Sequence, residues 1–251
     1  MKNLTLLSLL LIAELCYGQT NYYTFNTNDS LYNEKQVQEL FKAALKSIPN
    51  QYILEPTIYH RIIKSDSIIN YTAFHAEKTV STNNESRFEF TFKQDSVFLL
   101  LNKKLPGFIL KDVKDNEYSS KQLIGKPALL NYWAIYCKPC IAEMPELNGL
   151  KEKYGDKMNF IALTENTCQD DNLIGFLEKH PFNFHIIQNA EGYKKALKIN
   201  AIPRNIFVDK EGYVRYIQAN FPYTAYDSQK GIKEYDNKNY FVRIIERLIK
   251  E

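Results

Sequence analysis

Little in these 251 residues marks out a specialised class. No internal repeat and no low-complexity tract is present. Apart from residues 4–13, no apolar stretch approaches the roughly 20 residues of a membrane-spanning helix. The net charge is only +3, too small to argue for nucleic acid or a membrane surface as partner. Hydrophobic residues make up 45% and charged residues 24%, which is ordinary for a globular protein and against wholesale disorder. The 18 Tyr and 15 Phe are scattered rather than set in a stacking motif. Cysteine is scarce as well. Of four, Cys16 lies in an N-terminal leader, and the remaining Cys137, Cys140 and Cys168 are an odd number. That argues against a disulfide framework and for one dithiol plus a spare.

The leader has a positive start at Lys2 and an apolar run from Leu4 to Ala13, the length of a signal-peptide core. Small residues, Cys16 and Gly18, sit where a signal peptidase reads, so residues 1–18 are expected to be removed. Lipoprotein processing at Cys16 is the weaker rival, because Glu14 and Leu15 fit its recognition sequence poorly. Export implies an oxidising, periplasmic or comparable compartment, where disulfides persist.

The chain is organised around residues 127–145. Ala128 to Ala134 is a short, Leu- and aromatic-rich run that reads as a buried strand. Cys137-Lys138-Pro139-Cys140 follows, and then helix-compatible sequence. Two cysteines at this spacing can close a small ring. A helix N-terminus beside Cys137 supplies unpaired N–H groups and a positive dipole end, both of which favour the thiolate that attacks disulfides. Pro139 suits the first helical turn, and Lys138 adds a modest cationic pull on the pair. Cys137 is therefore the expected nucleophile, and Cys140, one turn inside the helix, the residue that resolves the mixed disulfide.

Tyr132-Trp133-Ala134 before Cys-x-Pro-Cys resembles the thioredoxin family active site, and Glu143 and Pro145 resemble its TlpA/ResA-like extracytoplasmic branch. Pro106, Phe108, Leu110 and Asp112 look like the opening of the redoxin domain, and the resemblance covers residues 105–251. It implies a thioredoxin fold: a central mixed sheet flanked by helices, with an extra strand–helix insertion. It also implies that Pro203 is the cis-proline opposite the dithiol. Arg204 departs from the Thr usual after that proline and bears on substrate choice. Ile202 and Pro203, with Trp133 and Tyr136 flanking the dithiol, are assigned to substrate binding, although Trp133 also reads as packing. Tyr136 replaces the usual Trp before the first cysteine. Glu143, three residues after Cys140 and so on nearly the same helix face, is assigned to catalysis as a carboxylate that relays the proton Cys140 must lose. The buried Asp of cytoplasmic thioredoxins is here Asn131, which cannot ionise. Cys168 is either an incidental loop cysteine or a third redox thiol.

Residues 19–104 read as a separate small α+β region with no recognisable motif, a packing or partner-docking module. Residues 33–48 carry Val37, Leu40, Phe41, Ala44, Leu45 and Ile48 on one helical face. Tyr52 to Ile63, Ser67 to His75 and Arg87 to Leu101 read as strand-rich, with Phe88, Phe90 and Phe92 alternating and a turn at Thr82-Asn83-Asn84. Beyond the active-site helix, which should run to Tyr154 and stop at Gly155, strands are expected at Met158–Thr164 and Phe184–Gln188, and helices at Asp170–Lys179 and Glu191–Lys198. A hairpin of Arg204–Asp209 and Tyr213–Ala219, an irregular stretch at 221–234 and a terminal helix at Tyr240–Ile249 complete the α/β order.

Three other readings compete. Zinc held by Cys137, Cys140, His180 and His185 requires halves 39 residues apart, unlike finger-type spacing, and no metal or cofactor is expected. A thiol peroxidase of the peroxiredoxin type would need a hydroxyl residue three before the cysteine, where Ala134 stands. The third is a non-catalytic binding module. The favoured reading is an exported thiol–disulfide oxidoreductase that reduces disulfides of exported proteins, recharged by an upstream, membrane-bound thiol donor and independent of nucleic acid. Signal removal predicts Gln19 as the first residue of the exported protein, and N-terminal sequencing that begins at Met1 would reject it.

Overall fold

A computed structural model describes residues 19–27, 30–49, 51–78, 86–221 and 239–251. The expected signal peptide, the turn at 82–84 and nearly all of the irregular stretch at 221–234 lie outside them.

The N-terminal region forms a sheet in the order β1-β3-β2-β4, from β1 (Thr20–Thr24), β2 (Tyr52–Ile63), β3 (Ser67–Lys78) and β4 (Thr91–Phe92). The long β2–β3 pair is antiparallel, while β1 and β4 add in parallel. Helix α1 (Glu34–Leu45) starts at a reciprocal cap, in which Asn33 and Gln36 each accept the other's backbone N–H at 2.9 Å. Its buried stripe is narrower than the sequence pattern suggests. Val37 and Phe41 are covered, but Leu40 is 41% exposed. The expected strand at 87–101 is also mostly absent. Phe88 and Phe90 do alternate inward, Phe88 against Phe41 and Phe90 stacked on Tyr23. Their alternation reflects this aromatic cluster and not a ladder, since only Thr91–Phe92 pairs with β2. The rest becomes a 3₁₀ turn, Ser96–Leu100, started by Asp95 accepting from Val97 N.

The larger sheet has the order β11-β10-β7-β8-β9. Its strands are β7 (Ala128–Trp133), β8 (Asn159–Thr164), β9 (His185–Ile187), β10 (Arg204–Val208) and β11 (Val214–Gln218). β7, β8 and β9 run parallel, while β10 pairs antiparallel with both β7 and β11, so the sheet is mixed. A hairpin of β5 (Ile109–Lys111) and β6 (Glu117–Ser119) precedes it. All six residues of β7 are buried. Leu129 and Trp133 pack into one core with Met144, Leu147 and Leu150 of α2 (Lys138–Tyr154), Leu173 of α3 (Leu173–Lys179), and Phe241, Ile244 and Ile245 of α5 (Tyr240–Lys250). Ala128, Leu130 and Tyr132 enter the opposite core with Tyr193 of α4 (Glu191–Ala196). That second core also takes Val97, Phe98, Leu100 and Leu101, so packing passes across the boundary expected at 104.

Helix α2 ends at Gly155, as its sequence suggests, but not through the left-handed cap typical of glycine. Its φ is −65°, and glycine is favoured there because a Cβ would lie 2.7 Å from the Lys151 carbonyl oxygen. Helix α5 closes one face of the sheet with Ile245, which has no exposed surface. Ile245→Ala should therefore cost about 2–5 kcal/mol of unfolding free energy, measured by chemical denaturation of the oxidised protein.

Candidate active site

The β7–α2 junction holds both cysteines on one short turn. Cys137 is the N-cap of α2, with Lys138 and Pro139 in its first turn. Cys137 N–H donates to Ala134 O at 3.0 Å, and the Cys137 carbonyl accepts the first helical bond from Ile141 N at 3.1 Å. Cys137 and Cys140 are joined as a disulfide. Cys140 N–H also points at the Cys137 sulfur, 3.3 Å away. When the bond is reduced, this donor and the helix dipole act on Sγ of Cys137 and favour its ionised form. Cys137 retains 6% of its surface and Cys140 only 1%, so Cys137 is the sulfur nearer solvent, though both are largely covered.

One turn further along α2, Glu143 is completely buried. It is therefore not a solvated helix charge. Its carboxylate accepts from Asn131 Nδ2 of β7 at 2.8 Å, from Phe221 N at 2.7 Å and, more weakly, from Asn205 Nδ2 of β10 at 3.4 Å. Asn131 also donates to Asn205 Oδ1 at 2.9 Å, and Asn205 to Ala219 O at 2.7 Å. Burial pushes the Glu143 carboxyl up to about 7, against the three donors that favour its charged form. Asn205 and Phe221 were not anticipated. The signal for Asn205 was available: it is the lone uncharged polar residue in the buried run Arg204–Val208.

The Ile202–Pro203 peptide bond is cis. In the β10–β7 ladder Arg204 pairs with Tyr132, so Pro203 lies one step beyond, level with Trp133 and at the sheet end where Cys137 emerges. Ile202 is half-buried and touches both cores. Arg204, unusual at its position, reaches the N-terminal region and pairs with Asp95 at 2.8 Å, with both side chains largely buried.

Trp133 does not line a substrate surface as expected. It has no exposed area and packs against Phe176 and Phe182, because the alternation of β7 turns it into the core. Tyr136 is 64% exposed beside Cys137, and its hydroxyl donates to Glu165, which pairs with Lys194 at 2.8 Å. The hydrogen bond to Glu165 raises the Tyr136 hydroxyl to about 12. Cys168 is a free, half-buried thiol whose sulfur faces Val113 O at 3.8 Å, and burial pushes its pKa up, away from thiolate chemistry. Of the two histidines weighed for zinc, His180 lies against Phe176, and His185 lies against Tyr118 and 3.8 Å from Asp112.

The sign of the Glu143 effect follows from its values. The folded chain holds this proton to about pH 7, whereas the unfolded chain releases it near 4.5. Its stabilising contribution is therefore complete below 4.5 and is lost as pH rises to 7. Glu143→Gln should abolish that loss of about 3 kcal/mol, read by denaturation at pH 5 and pH 8. The same variant should slow thiol–disulfide exchange above pH 7, where the carboxylate is free to accept a proton. Unchanged rates on both sides of pH 7 would remove Glu143 from the mechanism.

A family model described as AhpC/TSA family matches residues 101–217. The thioredoxin-like protein YneN of Bacillus subtilis is 26% identical over 129 residues, covering 51% of this chain and 76% of its own. Thiol-disulfide oxidoreductase ResA of Bacillus thuringiensis is 30% identical over 125 residues, covering 49% of this chain and 72% of its own. Among solved structures, the pneumococcal exposed lipoprotein thioredoxin Etrx1 of Streptococcus pneumoniae aligns with a TM-score of 0.44 at 16% identity, over 56% of this chain and 99% of that one. With a dithiol at the β7–α2 junction and a relative 30% identical across 72% of its length, this chain belongs to the ResA family of thiol–disulfide oxidoreductases.

Proposed function

We propose that this thiol–disulfide oxidoreductase works outside the cytoplasm as a reductant of disulfides in exported proteins, through Cys137 and Cys140. The observation that carries this reading is the disulfide at the N-terminus of α2, with an N–H aimed at the Cys137 sulfur and a buried carboxyl one turn away. In the reduced state the Cys137 thiolate attacks one sulfur of the partner's disulfide. A mixed disulfide forms and the other partner sulfur leaves as thiolate. Glu143, ionised above its raised pKa, accepts the Cys140 proton. The Cys140 thiolate then attacks Sγ of Cys137 and releases the second partner sulfur. Two electrons have passed to the partner, and the chain is left as the disulfide of the structure.

Recharging needs an upstream dithiol donor, which we place in the membrane. Among the described residues no helix is long and apolar enough to cross a bilayer. Export rests on the leader sequence at 1–18, and the redoxin half is assigned to 105–251 with 19–104 as an appended region. Ile202, Pro203 and Tyr136 are assigned to the surface that meets the partner.

The test is reduction of insulin disulfides by the dithiothreitol-charged protein. Wild type should turn over, Cys137→Ser should lose activity by at least about 10³-fold, and Cys140→Ser should accumulate a mixed disulfide visible on non-reducing gels. Fast turnover of hydrogen peroxide without insulin reduction would instead make it a thiol peroxidase. An inert wild type that traps nothing would make it a binding module.

A further inference from the structure

We propose that a cavity between the N-terminal sheet and the Pro203 strand is a pocket for the partner polypeptide, receiving an aromatic or large aliphatic side chain that flanks the target cysteine. This deepens the reductase reading and rests on it. The cavity is about 560 Å³, within the usual range for ligand pockets. Ala201 and Arg204, on either side of the Ile202–Pro203 bond, form part of its wall. In the β10–β7 ladder Arg204 is level with Tyr132, near the end of β7 that leads to Cys137.

Its walls come from both halves of the chain. Tyr59 and Phe98 contribute aromatic surface from the N-terminal side, and Tyr240 from the start of α5. Tyr59, Ala73 and Asp95 all precede residue 101, where the family match begins, so this half of the pocket is an addition to the redoxin part. The polar group is Arg204. It is 7% exposed, and its charge is answered by Asp95 at 2.8 Å. Its Nε–H, however, is buried and has no acceptor. An orphaned donor of this kind is costly, and an acceptor brought by a ligand recovers the cost.

These features define the occupant's chemistry. Because the Arg204–Asp95 pair is already neutral, a further carboxylate gains little, and a neutral acceptor such as a peptide carbonyl fits best. Aromatic walls favour a large apolar side chain beside that carbonyl. An extended polypeptide offers both at adjacent positions. Arg204 thus acts as a specificity-determining residue, in place of the Thr expected there.

The experiment compares two oxidised probes reduced by the full, dithiothreitol-charged protein. One is bis(2-hydroxyethyl) disulfide. The other is the disulfide-linked dimer of the peptide Gly-Phe-Cys-Phe-Gly. Wild type should favour the peptide in kcat/KM. That preference should fall about tenfold in Arg204→Thr, which removes the donor. It should fall similarly in Ala73→Trp, which fills the cavity from β3 and leaves Arg204 and Asp95 themselves unsubstituted. If Arg204→Thr does not fold, Ala73→Trp decides alone. A wild type that reduces both probes equally, or a preference that survives both variants, overturns the pocket and leaves the dithiol chemistry standing. A wild type that reduces neither probe overturns the reductase reading and the pocket with it.

Discussion

Strand β7 is enclosed on every side. It is hydrogen-bonded to β8 and β10 along its length, and every one of its residues is buried. A strand so placed can release the chain only at its end. The residues leaving it, Ala134 to Cys137, fold into a turn that starts α2 at the end of this central strand. The same enclosure fixes which side chain goes where. Leu129 and Trp133 are committed to the α2 face, and Leu130 and Tyr132 to the α4 face. Asn131, between them, is left to face Glu143. The dithiol, the buried acid and the neighbouring proline strand are thus consequences of one strand's position.

The buried acid shows how competing terms settle a protonation state. Asn131, Asn205 and the Phe221 N–H all favour a charged Glu143, yet burial outweighs them and holds the carboxyl near neutrality. A carboxyl poised at that value can take up and return a proton without a large energetic step in either direction. The asparagines hold the acid in place without ionising themselves. Asn131 reaches both Glu143 and Asn205, and so ties α2 to β7 and β10 through one amide group.

Much of this was legible in the sequence. β7, α2 and the β10–β11 hairpin declare themselves through apolar runs bounded by turn residues, and the ends of α2 fall where Cys137 and Gly155 place them. The Cys-x-Pro-Cys spacing at a strand–helix junction made the dithiol readable without any fold. Less legible was whatever depends on residues far apart in sequence. Phe88 and Phe90 alternate as a strand would, yet they answer to Tyr23 and Phe41 rather than to a neighbouring backbone. Leu40 looked like part of the buried stripe of α1, but only Val37 and Phe41 are covered there. Phe221 N enters the Glu143 site from 78 residues away, and a backbone donor has no sequence signature. Arg204 was visibly out of pattern, but nothing local indicated that Asp95 would be its partner.

The slight difference in cover between the two sulfurs carries a kinetic consequence. Cys140 is all but sealed at 1% exposure, while Cys137 keeps 6%. In the proposed reductase cycle, incoming and outgoing electrons both cross at the Cys137 sulfur. On that proposal, donor and acceptor proteins would alternate at one gate, each departing before the other arrives.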